Sequence, residues 1–170
     1  MIRVYTKTRN VKSIRRVLES LNLEHEIFTT KNPPSPEHEF EPFDLGVSYS
    51  YTRKITKNIL DIPPKGFVNY HPAPLPEYRG GSVYEEAIEN KETHWGVTLH
   101  LMDEHYDTGQ IIKRVNIELH EPPLTKEQIG SISHWFMFNL FKQTIEDIYN
   151  GNYTTKPQIT SAEDIHAKNL

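Results

Sequence analysis

The order of short β-prone runs and helix-period segments constrains this chain more than any other feature. Ile2 to Tyr5 is β-prone, and Val11, Ile14, Val17, Leu18 and Leu21 then recur at helical spacing behind Asn10, placed as an N-cap. "EHEIFTT", Glu24 to Thr30, reads as a second strand. A strand, helix and strand in this order predict parallel pairing through a right-handed crossover. "KNPPSPEHEFEPF" then stands where a second crossover helix is expected, so the first half of the sheet is abbreviated. "DLGVSYSY", Asp44 to Tyr51, is a third strand, "TRKITKNILDI" a short helix and "KGFVNY" a fourth strand.

The second half reads differently. "SVYEEAIEN" fits a helix, and "HWGVTLHLMDE" and "GQIIKRVNIEL" fit two strands joined at "HYDTG". So short a connection implies an antiparallel pair appended to the parallel sheet. Alternation along the first of these strands sets His100 on the face of Thr98. A long helix opens with Thr125 and Gln128 spaced as a capping box and closes at Gly151. Its apolar residues, from Ile129 through Trp135, Phe136 and Phe138 to Ile148, are too many for one stripe. The helix is expected to be covered by the sheet and also by a partner subunit in a homodimer. The expected fold is α/β: a Rossmann-like, mostly parallel sheet flanked by helices, with an antiparallel strand pair in the C-terminal half and a long C-terminal helix. One domain spans 1–151, and 152–170 forms an arm or tail.

Composition removes several classes. The 170 residues carry a formal net charge of −4 with no basic stripe, so strong nucleic-acid binding is not expected. Without cysteine there are no disulfides or thiolate metal sites. His94, His105, His120 and His134 have no zinc-ligand spacing, so no metal is expected. The N-terminus "MIRVYTKTRN" holds no apolar run suited to a signal peptide or membrane span, and a cytoplasmic protein is expected.

The chemistry gathers at "FVNYHPAPLPEYRGG", Phe67 to Gly81. Strand alternation projects Asn69 and His71 to one side, where an amide N–H and an imidazole could converge on one oxygen. The prolines cannot continue the ladder and carry the chain away as a stiff loop. In an open α/β sheet, ligands bind at the C-terminal ends of the strands. A carboxylate to orient the imidazole and move a proton is available in Asp103, Glu104 or Asp107, the last in a "DTG" turn.

"NYHPAPLPEYRGG" followed by "GVTLHLMDEHYDTGQII" resembles the core of the 10-formyltetrahydrofolate-dependent formyltransferases, with correspondence from about Asp44 to Leu119. His71 and Asp107 lie 36 positions apart, the interval of the family's pattern. The resemblance implies that Asn69 and His71 polarise the formyl carbonyl of N10-formyltetrahydrofolate. Asp107 would orient His71 and relay the proton from an attacking amine to the folate nitrogen. It places the folate against Tyr51, Arg53, Arg79, Gly80, Met102, Asp103, Tyr106 and Thr108, and implies a cis bond at Leu75–Pro76. The glycine-rich loop that some relatives carry after the first strand is replaced by "TKTRNVK", so a nucleotide or phosphate bound there would rely on Lys7, Arg9, Asn10 and the helix N-terminus.

Among relatives, the sugar N-formyltransferases are the most similar, which implies a small-molecule primary amine on a nucleotide-linked sugar as acceptor. The 170 residues leave no space for the extra domain with which methionyl-tRNA formyltransferases bind tRNA. Formyltetrahydrofolate hydrolysis, formylation of another small amine such as glycinamide ribonucleotide, and a non-catalytic folate- or nucleotide-binding module are the alternatives.

Overall fold

The computed structural model describes residues 1–120 and 124–159, so of the arm or tail expected at 152–170 the part 160–170 lies outside the described residues. Six strands form one sheet in the order β2-β1-β3-β4-β5-β6: β1 Ile2–Thr6, β2 His25–Thr29, β3 Leu45–Tyr49, β4 Phe67–His71, β5 His94–Leu101 and β6 Ile111–Glu118. The first four run parallel; β5 runs antiparallel to both β4 and β6. The mixed α/β sheet expected from the strand pattern is present.

Chain direction decides which face each connection covers. The step from β1 to β2 goes one way across the sheet, and the steps to β3 and β4 go the other, so right-handed crossovers fall on opposite faces. On one face, helix α1 (Val11–Ser20) buries Ile14 and Leu18. The helix expected over "SVYEEAIEN" is α4 (Val83–Glu89), which buries Val83 and Ala87 in the same core, and the 25-residue helix α5 (Lys126–Asn150) buries Ile129, Met137, Phe141, Ile145 and Ile148 there. Phe141 packs edge-on to Tyr70 with ring centroids 5.2 Å apart, and burying such an aromatic contributes about 2–3 kcal/mol. The Trp95 indole N–H donates to Ser133 Oγ at 2.7 Å, tying β5 to α5.

The capping box at Thr125 and Gln128 is formed, and Gly151 takes φ 76° at the C-terminal end of α5. Trp135 on the outer side of α5 is 63% exposed, so the sheet does not cover every apolar residue of this helix.

The other face carries much less helix. The proline-rich segment forms one turn, α2 (Pro36–Glu39), capped by the Ser35 side chain with Pro36 at the first helical position. The helix expected over "TRKITKNILDI" shrinks to α3 (Lys57–Leu60), leaving Tyr51 to Thr56 as loop. These pieces cover Tyr5, Phe43, Ile55, Ile59 and Phe67 as a second, smaller core. Arg3 is buried there, its guanidinium 4.2 Å from the Phe43 ring centroid and its Nε donating to Glu26 at 3.1 Å. The remainder of this face stays open, and β4 presents Asn69 and His71 to it.

Asn10 differs from expectation. It precedes α1, but its side chain makes no capping bond; it is buried and donates to Thr6 Oγ1 at 3.1 Å. A 3-10 turn at Thr8–Asn10 has already turned the chain, which points the amide back at β1.

Candidate active site

A cleft of about 520 Å³ opens on the uncovered face. Its walls come from the segments after β1 (Lys7, Arg9) and β3 (Ser50 to Ile55), from β4, from Gly80 to Tyr84, and from the β5–β6 turn. The first two lie at the C-terminal ends of β1 and β3, where the sheet's winding reverses. The turn arrives differently. Because β5 is antiparallel, Leu101 sits opposite Val68, near the start of β4. The turn must therefore fold back over the sheet face to bring Asp107 to Asn69 and His71.

That return is tightly built. Asp107 takes φ 56°, a left-handed conformation that costs a non-glycine residue about 1–2 kcal/mol. A Cβ on Gly109 would lie 1.8 Å from the Leu101 carbonyl oxygen, so only glycine fits where the turn crosses the strand end. Thr108 Oγ1 donates to Asp103 Oδ1 at 2.6 Å, and the His105 N–H donates to the same oxygen at 3.0 Å. Asp103 thus braces the turn from within.

Four groups surround the Asp107 carboxylate. The Gly80 N–H donates to Oδ2 at 2.9 Å and Asn69 Nδ2 to Oδ1 at 3.2 Å. His71 Nδ1 stands 3.4 Å from Oδ1, and His100 Nε2 stands 3.5 Å from it. Burial alone would raise this carboxyl, yet the hydrogen bond with His100, the charge of His71, the Gly80 N–H and the charge of His100 outweigh it, holding the pKa at about 2. Asp107 is ionised at neutral pH.

Each imidazole is anchored through one nitrogen. His71 Nε2 lies 2.8 Å from the Tyr78 carbonyl and must carry hydrogen to donate there, which leaves Nδ1 turned toward the carboxylate. His100 Nδ1 likewise donates to the Leu101 carbonyl at 2.7 Å, and its Nε2 lies 3.2 Å from Asn69 Nδ2. His71 and His100 are 4% and 1% exposed. Thr98 pins the loop beyond β4 by donating to the Ala73 carbonyl at 2.9 Å and accepting from the Leu75 N–H at 3.1 Å. The Leu75–Pro76 bond is cis, as the sequence led us to expect.

The structure brings Asn69, His71 and Asp107 together, and Tyr51, Arg53, Gly80, Met102, Asp103 and Tyr106 line the same cleft. Arg79 and Thr108 are not in its walls: Arg79 Nη2 donates to Gln158 Oε1 at 2.6 Å, and Thr108 is spent on Asp103. Sequence alternation placed His100 on the face of Thr98 without showing that this face looks onto Asn69. The cross-strand register of Asn69 with His100 decides that. At the far end of the cleft Lys7 and Arg9 lie together; desolvation and then the Arg9 charge pull the Lys7 ammonium below its ordinary range. Burial, Arg9 and Lys7 lower the nearby His134 as well.

Among the described residues no group of three or more His, Asp or Glu is placed to hold a metal, and no helix is long and apolar enough to cross a membrane.

Known proteins resemble this chain in sequence and in fold. A family profile described as formyl transferase matches residues 30–141. The methionyl-tRNA formyltransferase of Roseiflexus sp. (strain RS-1) is 35% identical over 121 residues, 68% of this chain and 35% of that protein. The chain spans 35%, 30% and 25% of the length of three curated methionyl-tRNA formyltransferases that it matches. Among solved structures, the formyltransferase PseJ from Anoxybacillus kamchatkensis, in complex with UDP-4,6-dideoxy-4-formamido-L-AltNAc and tetrahydrofolate, superposes with a TM-score of 0.79 at 22% identity, covering 98% of this chain and 88% of that one. The N-formyltransferase from Helicobacter canadensis, in complex with folinic acid and dTDP-3-aminofucose, gives 0.82 at 19% identity, covering 96% and 71%. At such identities the likeness is one of fold. The profile, however, takes in well over half of the residues, including all that surround Asp107 except those of the C-terminal arm, and the chain belongs to the formyl transferase family.

Proposed function

We propose that this chain transfers a formyl group from N10-formyltetrahydrofolate to a primary amine, with Asn69, His71 and Asp107 as the catalytic residues. One observation carries the reading: an ionised carboxylate at the base of a cleft, within 3.5 Å of an amide and two anchored imidazoles. The formyl oxygen accepts from Asn69 Nδ2, displacing one of that amide's two present partners, and from His71 Nδ1 when the ring is protonated. The amine adds to the formyl carbon, giving a tetrahedral oxyanion that these donors stabilise. Asp107 takes the proton from the added amine and delivers it to N10 as the carbon–N10 bond breaks. The formamide and tetrahydrofolate leave, and the carboxylate is restored. Tyr51, Arg53, Met102 and Tyr106 would border the folate ring, and Gly80 would let backbone approach it.

For the acceptor we favour an amino sugar carried on a nucleotide. Two observations support it: Lys7 and Arg9 end the cleft as adjacent cations suited to phosphate, and structural neighbours bind such sugars. Formylation of methionyl-tRNA is the second reading, favoured by the sequence relatives. The test is tetrahydrofolate release from N10-formyltetrahydrofolate with UDP- and dTDP-linked amino sugars, methionyl-tRNA or water alone. Release dependent on an amino sugar supports the preferred acceptor; release with tRNA only overturns it. Release without any amine makes the chain a hydrolase, and binding without release under every condition defeats the catalytic reading.

A further inference from the structure

The arm beyond α5 carries an amide that touches both loops holding Asp107. Ile111 and Lys156 exchange backbone hydrogen bonds of 2.8 Å in each direction, so the arm pairs with the start of β6 as an antiparallel bridge. Tyr153 packs against the main core, and Thr155 Oγ1 bonds the Gln110 side chain. Two residues past the bridge, Gln158 Nε2 donates to the Asp107 carbonyl at 2.9 Å and to the Gly109 carbonyl at 2.8 Å. Its Oε1 accepts from Arg79 Nε at 3.2 Å and Nη2 at 2.6 Å.

The amide's orientation follows from its partners. Reversed, its oxygen would face two carbonyl oxygens and its NH2 a guanidinium, losing all four bonds. One side of the amide therefore holds the turn that carries Asp107. The other holds Arg79, whose neighbour Gly80 donates to the Asp107 carboxylate. With Asp107 at φ 56° and Gly109 pressed against Leu101, the turn is held in an unfavourable backbone conformation, and an external clamp is what such a turn requires.

We propose that Gln158 is a positioning residue for Asp107, fixing the distance between the β5–β6 turn and the Arg79–Gly80 loop so that the carboxylate stays on His71 and Asn69. As a statement about catalysis this rests on the formyl-transfer reading above; as a statement about geometry it does not.

The test is Gln158→Ala beside Gln158→Glu, which keeps the length and the Arg79 contact but loses both donors. Formyl transfer by either variant should fall in kcat on the order of tenfold or more, with the KM for N10-formyltetrahydrofolate nearly unchanged, because a displaced carboxylate harms the reaction and not the folate pocket. Adding Arg79→Ala to Gln158→Ala should cost little more, since both cut the same clamp. Carbon-13 titration of the Asp107 carboxyl, read on folded protein with the melting temperature checked, should move upward in both variants. A wild-type kcat together with an unchanged Asp107 titration overturns the proposal, as does a loss of rate matched by lost folded protein with the titration unmoved. If the wild type proves inert with every acceptor, the function fails while the titration still decides whether Gln158 holds Asp107.

Discussion

His71 and Asp107 face each other across 3.4 Å, Nδ1 to Oδ1, while the other ring nitrogen of His71 is committed to the Tyr78 carbonyl at 2.8 Å. The backbone of the proline loop thus fixes which nitrogen faces the Asp107 carboxylate. The loop beyond β4, the turn before β6 and the β4 strand end converge here because one face of the sheet lacks the helices that cover the other.

Asn69→Ala removes one of the two proposed oxyanion donors. Its turnover should fall a hundredfold or more, about 3 kcal/mol of barrier, with folate binding largely retained. Steady-state kinetics with N10-formyltetrahydrofolate and the best acceptor check it; near-normal kcat would sink the oxyanion role.

Asp107→Asn keeps an acceptor for the Gly80 N–H but cannot carry the proton, so the folded variant should be close to inactive. It also isolates a pH effect. Asp107 titrates at about 2 in the folded chain against an ordinary 3.8. Because the folded value is the lower one, its ionised form contributes stability in full above about pH 4 and loses it as the pH falls toward 2. The contribution is about 2 kcal/mol. Urea unfolding of wild type and variant across that window should show the wild type losing stability relative to Asp107→Asn as acid is added, and parallel curves would refute the assignment.

Gly109→Ala tests the turn. The new Cβ meets backbone, not a movable side chain, so the turn must lift from Leu101. Destabilisation of about 1–3 kcal/mol is expected, together with a loss of kcat larger than the loss of folded protein. Gly130→Ala in α5, where the new Cβ makes only an ordinary contact with the Tyr84 ring at 3.6 Å, is the control. Equal behaviour of the two variants would show that the turn's close approach is unimportant.

Much of this architecture was legible in the sequence because its signals are local. The spacing of Ile14 and Leu18, the Thr125–Gln128 box and the pairing of Asn69 with His71 on one strand face each need only a few consecutive residues, whereas the cis bond at Leu75–Pro76 was expected from the family resemblance. What escaped depends on contacts between distant segments. His100 joined the site through its register with Asn69, and alternation within one strand is silent on that. Gln158 reaches Asp107 only because the arm pairs with Ile111, and nothing in "TTKPQIT" announces such a return. The shortening of α3 follows from where Thr56 begins the helix and leaves Thr52 to Lys54 to wall the cleft, a choice no propensity of those residues dictates.

Arg9→Ala separates the acceptor from the folate. Lys7 and Arg9 border the end of the cleft after β1, whereas the residues assigned to folate lie after β3 and in the β5–β6 turn. If a nucleotide's phosphates rest on the two cations, Arg9→Ala should raise the acceptor's KM about tenfold, a loss of about 1.4 kcal/mol, and leave the KM for N10-formyltetrahydrofolate and the limiting kcat nearly unchanged. Added salt should weaken wild-type acceptor binding more than that of the variant, because part of the wild-type affinity is charge attraction that ions screen. Burial and then the Arg9 charge already depress the Lys7 ammonium, and a bound dianion would oppose that. A variant with an unaltered acceptor KM and unaltered salt dependence would place the nucleotide elsewhere, and one that lost folate affinity instead would reassign this end of the cleft.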